Sequence, residues 1–341
     1  MPLSPVPAPA ALAVVPLLLA GAAPAATLTV GPGQPQTTIA AAVAAAHNGD
    51  TIAVLAGVYV NDFAEIAVQV TLTAVGGQVI LRATGNIANG KGILITDTDT
   101  TITGFGFIGA HVTNADGGNG AGLRYQGGNL VLNDCYFANN QDGLLADADA
   151  TGTITIANTE FYHNGVGNPA DAGYGLTHNL YVGAVAVLDI ENSYSHAAIV
   201  GHEIKSRALT TIVRNSRVVD GPTGTASYSI DLPNGGVATI ENDQIEQGPL
   251  SQNPIVISFG EEGGLHPGST LTVRNTLIEN DLAGGDGLAV KNATDVAVTL
   301  AGTRVYGLGS GQLLAGPGTV TGTTVLTAAP TISGRHPWLA P

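Results

Sequence analysis

Short β-branched runs in which apolar and polar residues alternate recur along the chain, and six of them carry an asparagine marker: VLNDCYF, ITIANTEF, LDIENSYS, TIVRNSRV, ATIENDQI and LTVRNTLI. The asparagines are Asn133, Asn158, Asn192, Asn215, Asn242 and Asn275, spaced by 25, 34, 23, 27 and 33 residues. Gly104 in TITGFGF and Gly302 in TLAGTRV hold the same phase, 29 residues before the first marker and 27 after the last. A constant motif at variable spacing describes one turn of a coil, with length changing only where a loop leaves it. Period-two alternation in short β-branched segments excludes helical repeats. A propeller blade needs about four strands in 40 or more residues, more than these repeats hold. The pattern therefore predicts an all-β fold, a single-stranded right-handed parallel β-helix of about eight to ten coils. Stacked at one corner of successive coils, the asparagines can pass side-chain amide hydrogen bonds along the axis.

Charge narrows the partners. The formal net charge is −15, with 11 Lys and Arg in 341 residues. No basic stripe is present to neutralise phosphates, so nucleic acid is excluded as a partner, and no polybasic run addresses anionic lipid. Forty-seven glycines and 18 prolines supply turns, while a 44% hydrophobic fraction marks a folding chain. The apolar run Ala10 to Ala23, followed by the small residues APAA, reads as an export signal over 1–26. It is short and broken by Pro16, a poor membrane span. The protein is accordingly expected to be secreted or periplasmic, with one β-helix domain over 27–330. A tail over 331–341 trails across the coil end, where Trp338 can cover it. Cys135 is the single cysteine, so no intramolecular disulfide forms, and it is expected to pack as a small hydrophobe.

The segment before the coils, Gln36 to Tyr59, has an Ala-rich helical run, an NGD turn and an alternating strand. It resembles the opening of pectate-lyase-like β-helix proteins, where a short helix plugs the first coil. An N-terminal cap of this kind hides apolar core and unpaired strand edges.

Alternate residues of a coil strand face inward and the rest form an exposed face. Aligning on the marker brings together GLRYQ, GLLAD, NLYVG, EIKSR, SIDLP, VISFG and GLAVK. Leu123, Leu144, Leu180, Ile204, Ile230, Ile257 and Leu288 are then inward. Arg124, Leu145, Tyr181, Glu203, Lys205, Ser229 and Asp231 are outward, and His202 is a hydrogen-bonded core residue. A slip of one residue would exchange the roles of His202 and Glu203. The exposed face becomes ionisable from THNLYVG through GHEIKSRA to SYSIDLPNGG, which groups His178, Tyr181, Glu203, Lys205, Arg207 and Asp231 on three successive coils. Glu261–Glu262 reads as loop charge.

HEIKSRALTTIVRNSRVVDG resembles the active-site coil of β-helical polysaccharide lyases of the chondroitinase B and alginate lyase type. The resemblance implies Lys205 as the base that removes the proton α to a uronate carboxylate, and Glu203 as a Ca²⁺ ligand, with Asp231 as a second metal or sugar contact. It also implies an acidic polysaccharide as partner. Where that family has Leu-Arg-His-Gly on the next coil, this chain has DLPNGG, so the expected Arg is Leu232, and Arg207 or His178 would substitute. Tyr181, His178 and Arg207 are the candidate acid or charge-stabilising groups, and Asn179 and Asn234 the candidate sugar-contacting amides. Removal of such a proton builds negative charge that a cation must stabilise. The same proton removal serves a lyase, which cleaves the chain by β-elimination, or a related epimerase, which inverts the uronate without cleavage. Three alternatives remain open at the level of sequence: a non-catalytic carbohydrate-binding or adhesion β-helix, a hydrolase using Glu203 and Asp231, and a face of solvated cross-coil ion pairs.

Overall fold

Each coil turns its first corner on one residue in the left-handed backbone region. That residue is Asp134, Asn158, Asn192, Asn215, Asn242 or Asn275, with φ between +47° and +59°, or glycine at Gly104 and Gly302. Asparagine and aspartate enter this region more readily than other L-residues because their short side chains bond locally. The recurrence of the marker is thus a backbone requirement. In the first marked coil the corner falls on Asp134, and Asn133 sits one place earlier, level with Thr103 and Ala157. Amide-to-amide hydrogen bonds run from Asn158 to Asn133 (2.9 Å) and from Asn192 to Asn158 (2.5 Å).

The computed structural model describes residues 1–2, 24–284 and 286–332. Most of the predicted export signal and the tail with Trp338 lie outside them. The described chain is a right-handed parallel β-helix, as the handedness of parallel β connections requires. Coils expose three faces. The Thr210–Arg214 strand belongs to the first, Arg217–Val219 to the second and His202–Ser206 to the third. Every strand pairs in parallel with its counterpart one coil away. The first and second faces merge into one 21-stranded sheet, because the early strands Asp50–Val60 and Val70–Arg82 run around the corner between them. The third face is a separate ten-stranded sheet.

The predicted capping helix is Ile39–Ala45. Thr38 accepts the Ala41 N–H, and the Asp62 carboxylate accepts those of Ile39 and Ala40. Ile39, Ala42 and Val43 are buried by the helix over the first coils. Inside, like residues stack at the coil repeat. Phe107, Phe137 and Phe161 have centroids 4.7 and 4.8 Å apart and nearly parallel rings. Beside them runs an internal amide ladder, with Asn140 donating to Asn164 and Asn164 to Asn179 at 2.9 Å each. Cys135 is fully buried just past its corner, and burial pushes its thiol up to about 12.

On the third face one outward column runs Arg124, Leu145, Tyr181, Lys205, Asp231, Ser258 and Lys291, each level with the next. Leu123, Leu144, Leu180, Ile204, Ile230 and Ile257 are inward, as the alternation predicts. Strict alternation fails one residue earlier. Glu203 and Ser229 are buried, whereas His202 faces out beside Tyr228, the residue level with it. The backbone turns the corner between the second and third faces here, so two consecutive residues point inward before Lys205 points out. The same rule corrects the ninth coil, where Val290 is inward and Leu288 pairs with Ile255.

Candidate functional site

His178, His202 and Tyr228 occupy the outward column nearest that corner, on three successive coils. Their rings stack with centroids 4.9 and 5.1 Å apart, close to the ~4.8 Å strand spacing. Two backbone donors set the imidazoles' protonation. The His202 N–H donates to His178 Nδ1 (3.0 Å), and the Tyr228 N–H donates to His202 Nδ1 (3.1 Å). An acceptor Nδ1 on a neutral ring leaves the proton on Nε2, so each histidine keeps an Nε2–H donor. Burial holds both neutral. It pushes His178 well below the usual histidine range and His202 down to about 3, with neighbouring positive charge acting in the same direction. The His202 Nε2 lies 3.4 Å from Asp231 Oδ2.

The adjacent column carries the charges. Lys205 Nζ is 3.1 Å from Asp231 Oδ2 and 2.9 Å from Glu262 Oε1. Burial raises the Asp231 carboxyl above its ordinary value, against the pull of Lys205. Arg207 sits on the turn after the strand. Its Nε donates to the Tyr181 hydroxyl (2.9 Å), and its two terminal nitrogens to Asn234 Oδ1 and Glu262 Oε2 (2.5 Å each). Tyr181, Lys205, Arg207 and Asp231 are thus brought together with His178, as predicted from sequence. Leu232, at the position of the resembled family's Arg, is fully buried, and Arg207 supplies the guanidinium from the preceding coil.

Glu203 and Asn179 are elsewhere. Both side chains are fully buried inside the coil. The Glu203 carboxyl accepts the Ala198 N–H (2.8 Å), meets Ser195 Oγ (2.8 Å), and accepts from Asn179 Nδ2 (2.5 Å), which makes it the end of the internal amide ladder. Glu203 is therefore a core residue and not a metal ligand, and Asn179 makes no sugar contact. Calcium takes about six to eight oxygens. Glu203 and Asp231 face opposite sides of the sheet, and Asp231 is engaged by an ammonium and an imidazole N–H. They do not fit a common Ca²⁺ site, and no group of three or more His, Cys, Asp or Glu suited to a metal occurs among the described residues. Asn234 uses both ends internally, accepting from Arg207 and donating to Gly263 O (2.7 Å). It positions the guanidinium and a loop.

That loop spans residues 260–269, and its acids Glu261 and Glu262, loop charge by sequence, are part of the site. It leaves the third face on Gly260, where a Cβ would approach Thr294 Cγ2 to 2.2 Å and where φ is +81°. It then folds back so that Glu261 meets Lys291, the Tyr228 hydroxyl (2.6 Å) and Ser258 (3.1 Å), while Glu262 bridges Lys205 and Arg207. Hydrogen bonds from these partners hold both carboxyls below their ordinary range although burial works the other way. The length of GEEGGLHPGS, against turns such as PNGG, was the only sequence signal of this return.

The class that the architecture defines for the carrier of this polar face is that of the right-handed parallel β-helices. No protein-family model matches the sequence, and no curated protein is similar to it. Among solved structures it is similar to an alginate lyase from Paenibacillus sp. strain FPU-7, at 15% identity over 88% of this chain and 99% of that one, with a TM-score of 0.54. It is also similar to pectate lyase Pel9A, at 13% identity over 87% of this chain and 78% of that one, with a TM-score of 0.56. These likenesses are of fold. No helix among the described residues is long and apolar enough to cross a membrane.

Proposed function

We propose that this protein cleaves a uronate-containing polysaccharide by β-elimination, with Lys205 as the base. The observation that supports this reading is the position of Lys205 on the outward column of the third face, next to a carboxyl with a raised proton affinity (Asp231) and next to a carboxylate shared with Arg207 (Glu262). A substrate carboxylate held by Arg207 would set the adjacent C–H near Lys205 Nζ. Covering the site with a sugar ring excludes water, and the Lys205 proton then has an acceptor of raised proton affinity in Asp231, 3.1 Å away. Passing it leaves a neutral amine and a neutral acid, the pair that low dielectric favours. The amine takes the α proton, the released electron pair forms the C=C bond, and the bond to the leaving glycosidic oxygen breaks. Tyr181, whose oxygen accepts from Arg207, keeps its own O–H to protonate that oxygen. His202, a neutral Nε2–H donor 3.4 Å from Asp231, helps to hold that carboxyl beside Lys205. The fold likeness to an alginate lyase and a pectate lyase supports this reading.

The test is absorbance near ~235 nm, where unsaturated uronates absorb, on a panel of uronic-acid polysaccharides with the wild-type protein and Lys205→Ala. A positioned base contributes about 10²–10⁴-fold, so the variant is expected to lose at least two orders of magnitude in kcat. Chelator is expected to leave the rate unchanged, because Glu203 is internal and Asp231 engaged. Equal rates in wild type and variant would sink the assignment of Lys205. A second reading rests on the ion pairs of Lys205 with Asp231 and Glu262, which suit glycan binding without turnover. Retention on immobilised uronate polymer with no new absorbance would establish it.

A further inference from the structure

We propose that Glu262 stands in for a substrate carboxylate: in the unliganded protein its side chain fills the anion subsite formed by Lys205 and Arg207, and the 260–269 loop must lift for a uronate to bind. The inference rests on the proposed function for the identity of the incoming group, but the subsite is visible without it.

Glu262 makes the contacts a bound carboxylate would make. One oxygen is 2.9 Å from Lys205 Nζ, the other 2.5 Å from an Arg207 terminal nitrogen. The two cations are held in place by other groups. Lys205 keeps Asp231, whose side chain is only 4% exposed, and Arg207 keeps the Tyr181 hydroxyl and Asn234 Oδ1. Removing Glu262 would therefore leave a formed receptor in which Arg207 has no counter-charge and Lys205 keeps only Asp231. The neighbouring acid behaves differently. Glu261 has three partners and a side chain 20% exposed, whereas that of Glu262 is 46% exposed. One acid anchors the loop, and the other is free to exchange with solvent or ligand.

The loop is built to move as a short flap. Gly260, Gly263, Gly264 and Gly268 have φ between +59° and +81°. Glu262, Gly264, Leu265, Pro267 and Gly268 are exposed. Between residues 262 and 266 it is held to the preceding turns by Glu262 N–H to Pro233 O, Asn234 Nδ2 to Gly263 O, His266 N–H to Asn234 O and His266 Nε2 to Arg207 O. Ser269 is buried and returns the chain to the coil. Exchange of one carboxylate for another keeps the charge of the site constant, so entry of a uronate is favoured over entry of a neutral sugar, which would leave Arg207 without a counter-charge.

The experiment is calorimetric titration of D-glucuronate, and of D-glucose as the uncharged control, into wild type, Glu262→Gln and the double variant Glu262→Gln/Arg207→Met. Glutamine keeps the size of the side chain and removes its charge. Loss of a partly exposed competing ion pair is expected to tighten glucuronate binding about tenfold. Glucose binding should not change, and the gain should vanish in the double variant. Glucuronate binding that is equal or weaker in Glu262→Gln, in a protein with an unaltered circular dichroism spectrum, overturns the proposal. The two hypotheses separate cleanly. Tighter glucuronate binding with no polysaccharide cleaved supports the subsite and sinks the lyase reading. Cleavage by the wild type with no gain in the variant sinks the stand-in alone.

Discussion

Glu203→Gln, a change of one atom in a buried side chain, should be costly, and its cost should depend on pH in a direction opposite to that of a buried ion pair. The Ser195 hydroxyl lies 2.8 Å from Glu203 Oε2 and 2.9 Å from the Glu203 carbonyl, but it has one hydrogen. If Glu203 carries a proton, Oε2–H donates to Ser195 and Ser195 donates to the carbonyl, so both contacts are satisfied. Oε2 can still accept from Asn179 Nδ2, and Oε1 accepts the Ala198 N–H. Burial pushes the Glu203 carboxyl well above its ordinary value, and nearby Asp220 works in the same direction. Glutamine cannot reproduce this. Its NH₂ in place of Oε2 faces the Asn179 NH₂, and turning Asn179 over would break its bond with Asn164. One buried donor left unsatisfied costs about 1–3 kcal/mol. At about 2–4 °C per kcal/mol for chains of this order of length, a 2 kcal/mol loss lowers the thermal midpoint by about 4–8 °C.

The pH dependence follows from linkage. A carboxyl whose folded value lies above its unfolded value of 4.5 stabilises the fold below that pH, and the contribution is lost as pH rises through the folded value. Glutamine does not titrate, so the deficit of the variant is largest near pH 4–5 and shrinks toward pH 8. Scanning calorimetry of both proteins across that range measures it. A deficit that grows with pH would show an ionised Glu203 held by its donors and would refute the assignment of its proton.

Two more expectations can be checked. His202, pushed down to about 3 from an ordinary 6.5, should show a protonated Nε2 and a bare Nδ1 in ¹⁵N NMR spectra, unchanged from pH 8 to 5; a midpoint near 6.5 would refute the backbone lock. Because its folded value is depressed, its contribution to stability is present above pH 6.5 and lost as pH falls from there toward 3. At the corner, Asn242→Ala should cost about 1–2 kcal/mol, and Asn242→Gly much less, because φ there is +59°. Equal losses measured by urea unfolding would return the asparagines to a side-chain role.

The repeat was legible because it is local. Alternation and a corner residue recur in each coil whatever the loops do, so the parallel coil and the column Tyr181–Lys205–Asp231 follow from the repeat, while the capping helix follows from the Ala-rich run before it and the resemblance that run carries. The reason for the corner asparagines was not, since an amide that stacks and an amide that permits a left-handed backbone leave the same letter. Glu262 reaches Lys205 across 57 residues through a loop whose path no periodicity describes. The signal for the inward pair was present and went unused: each third-face strand puts a small, polar or apolar residue directly before its core aliphatic. These are Gly143-Leu144, Asn179-Leu180, Glu203-Ile204, Ser229-Ile230 and Val256-Ile257. Period-two counting assigns the first of each pair to the surface.

That single departure from alternation explains why the segment GHEIKSRA is so charged in a chain with so few charges. With two consecutive inward residues, one strand serves both sides of the sheet. Glu203 faces the core, where its carboxyl and three neighbours terminate the amide ladder that begins at Asn140. His202 and Lys205 face out, one locked neutral by a backbone N–H and the other placed between Asp231 and Glu262. A regular strand would have put Glu203 beside Lys205 on the surface as an ordinary ion pair and His202 in the core with its ring nitrogens to satisfy. The corner removes the acid from the face, so that the charge opposite Lys205 and Arg207 comes from a movable loop. An anion site whose internal counter-charge can leave is one that a substrate can enter.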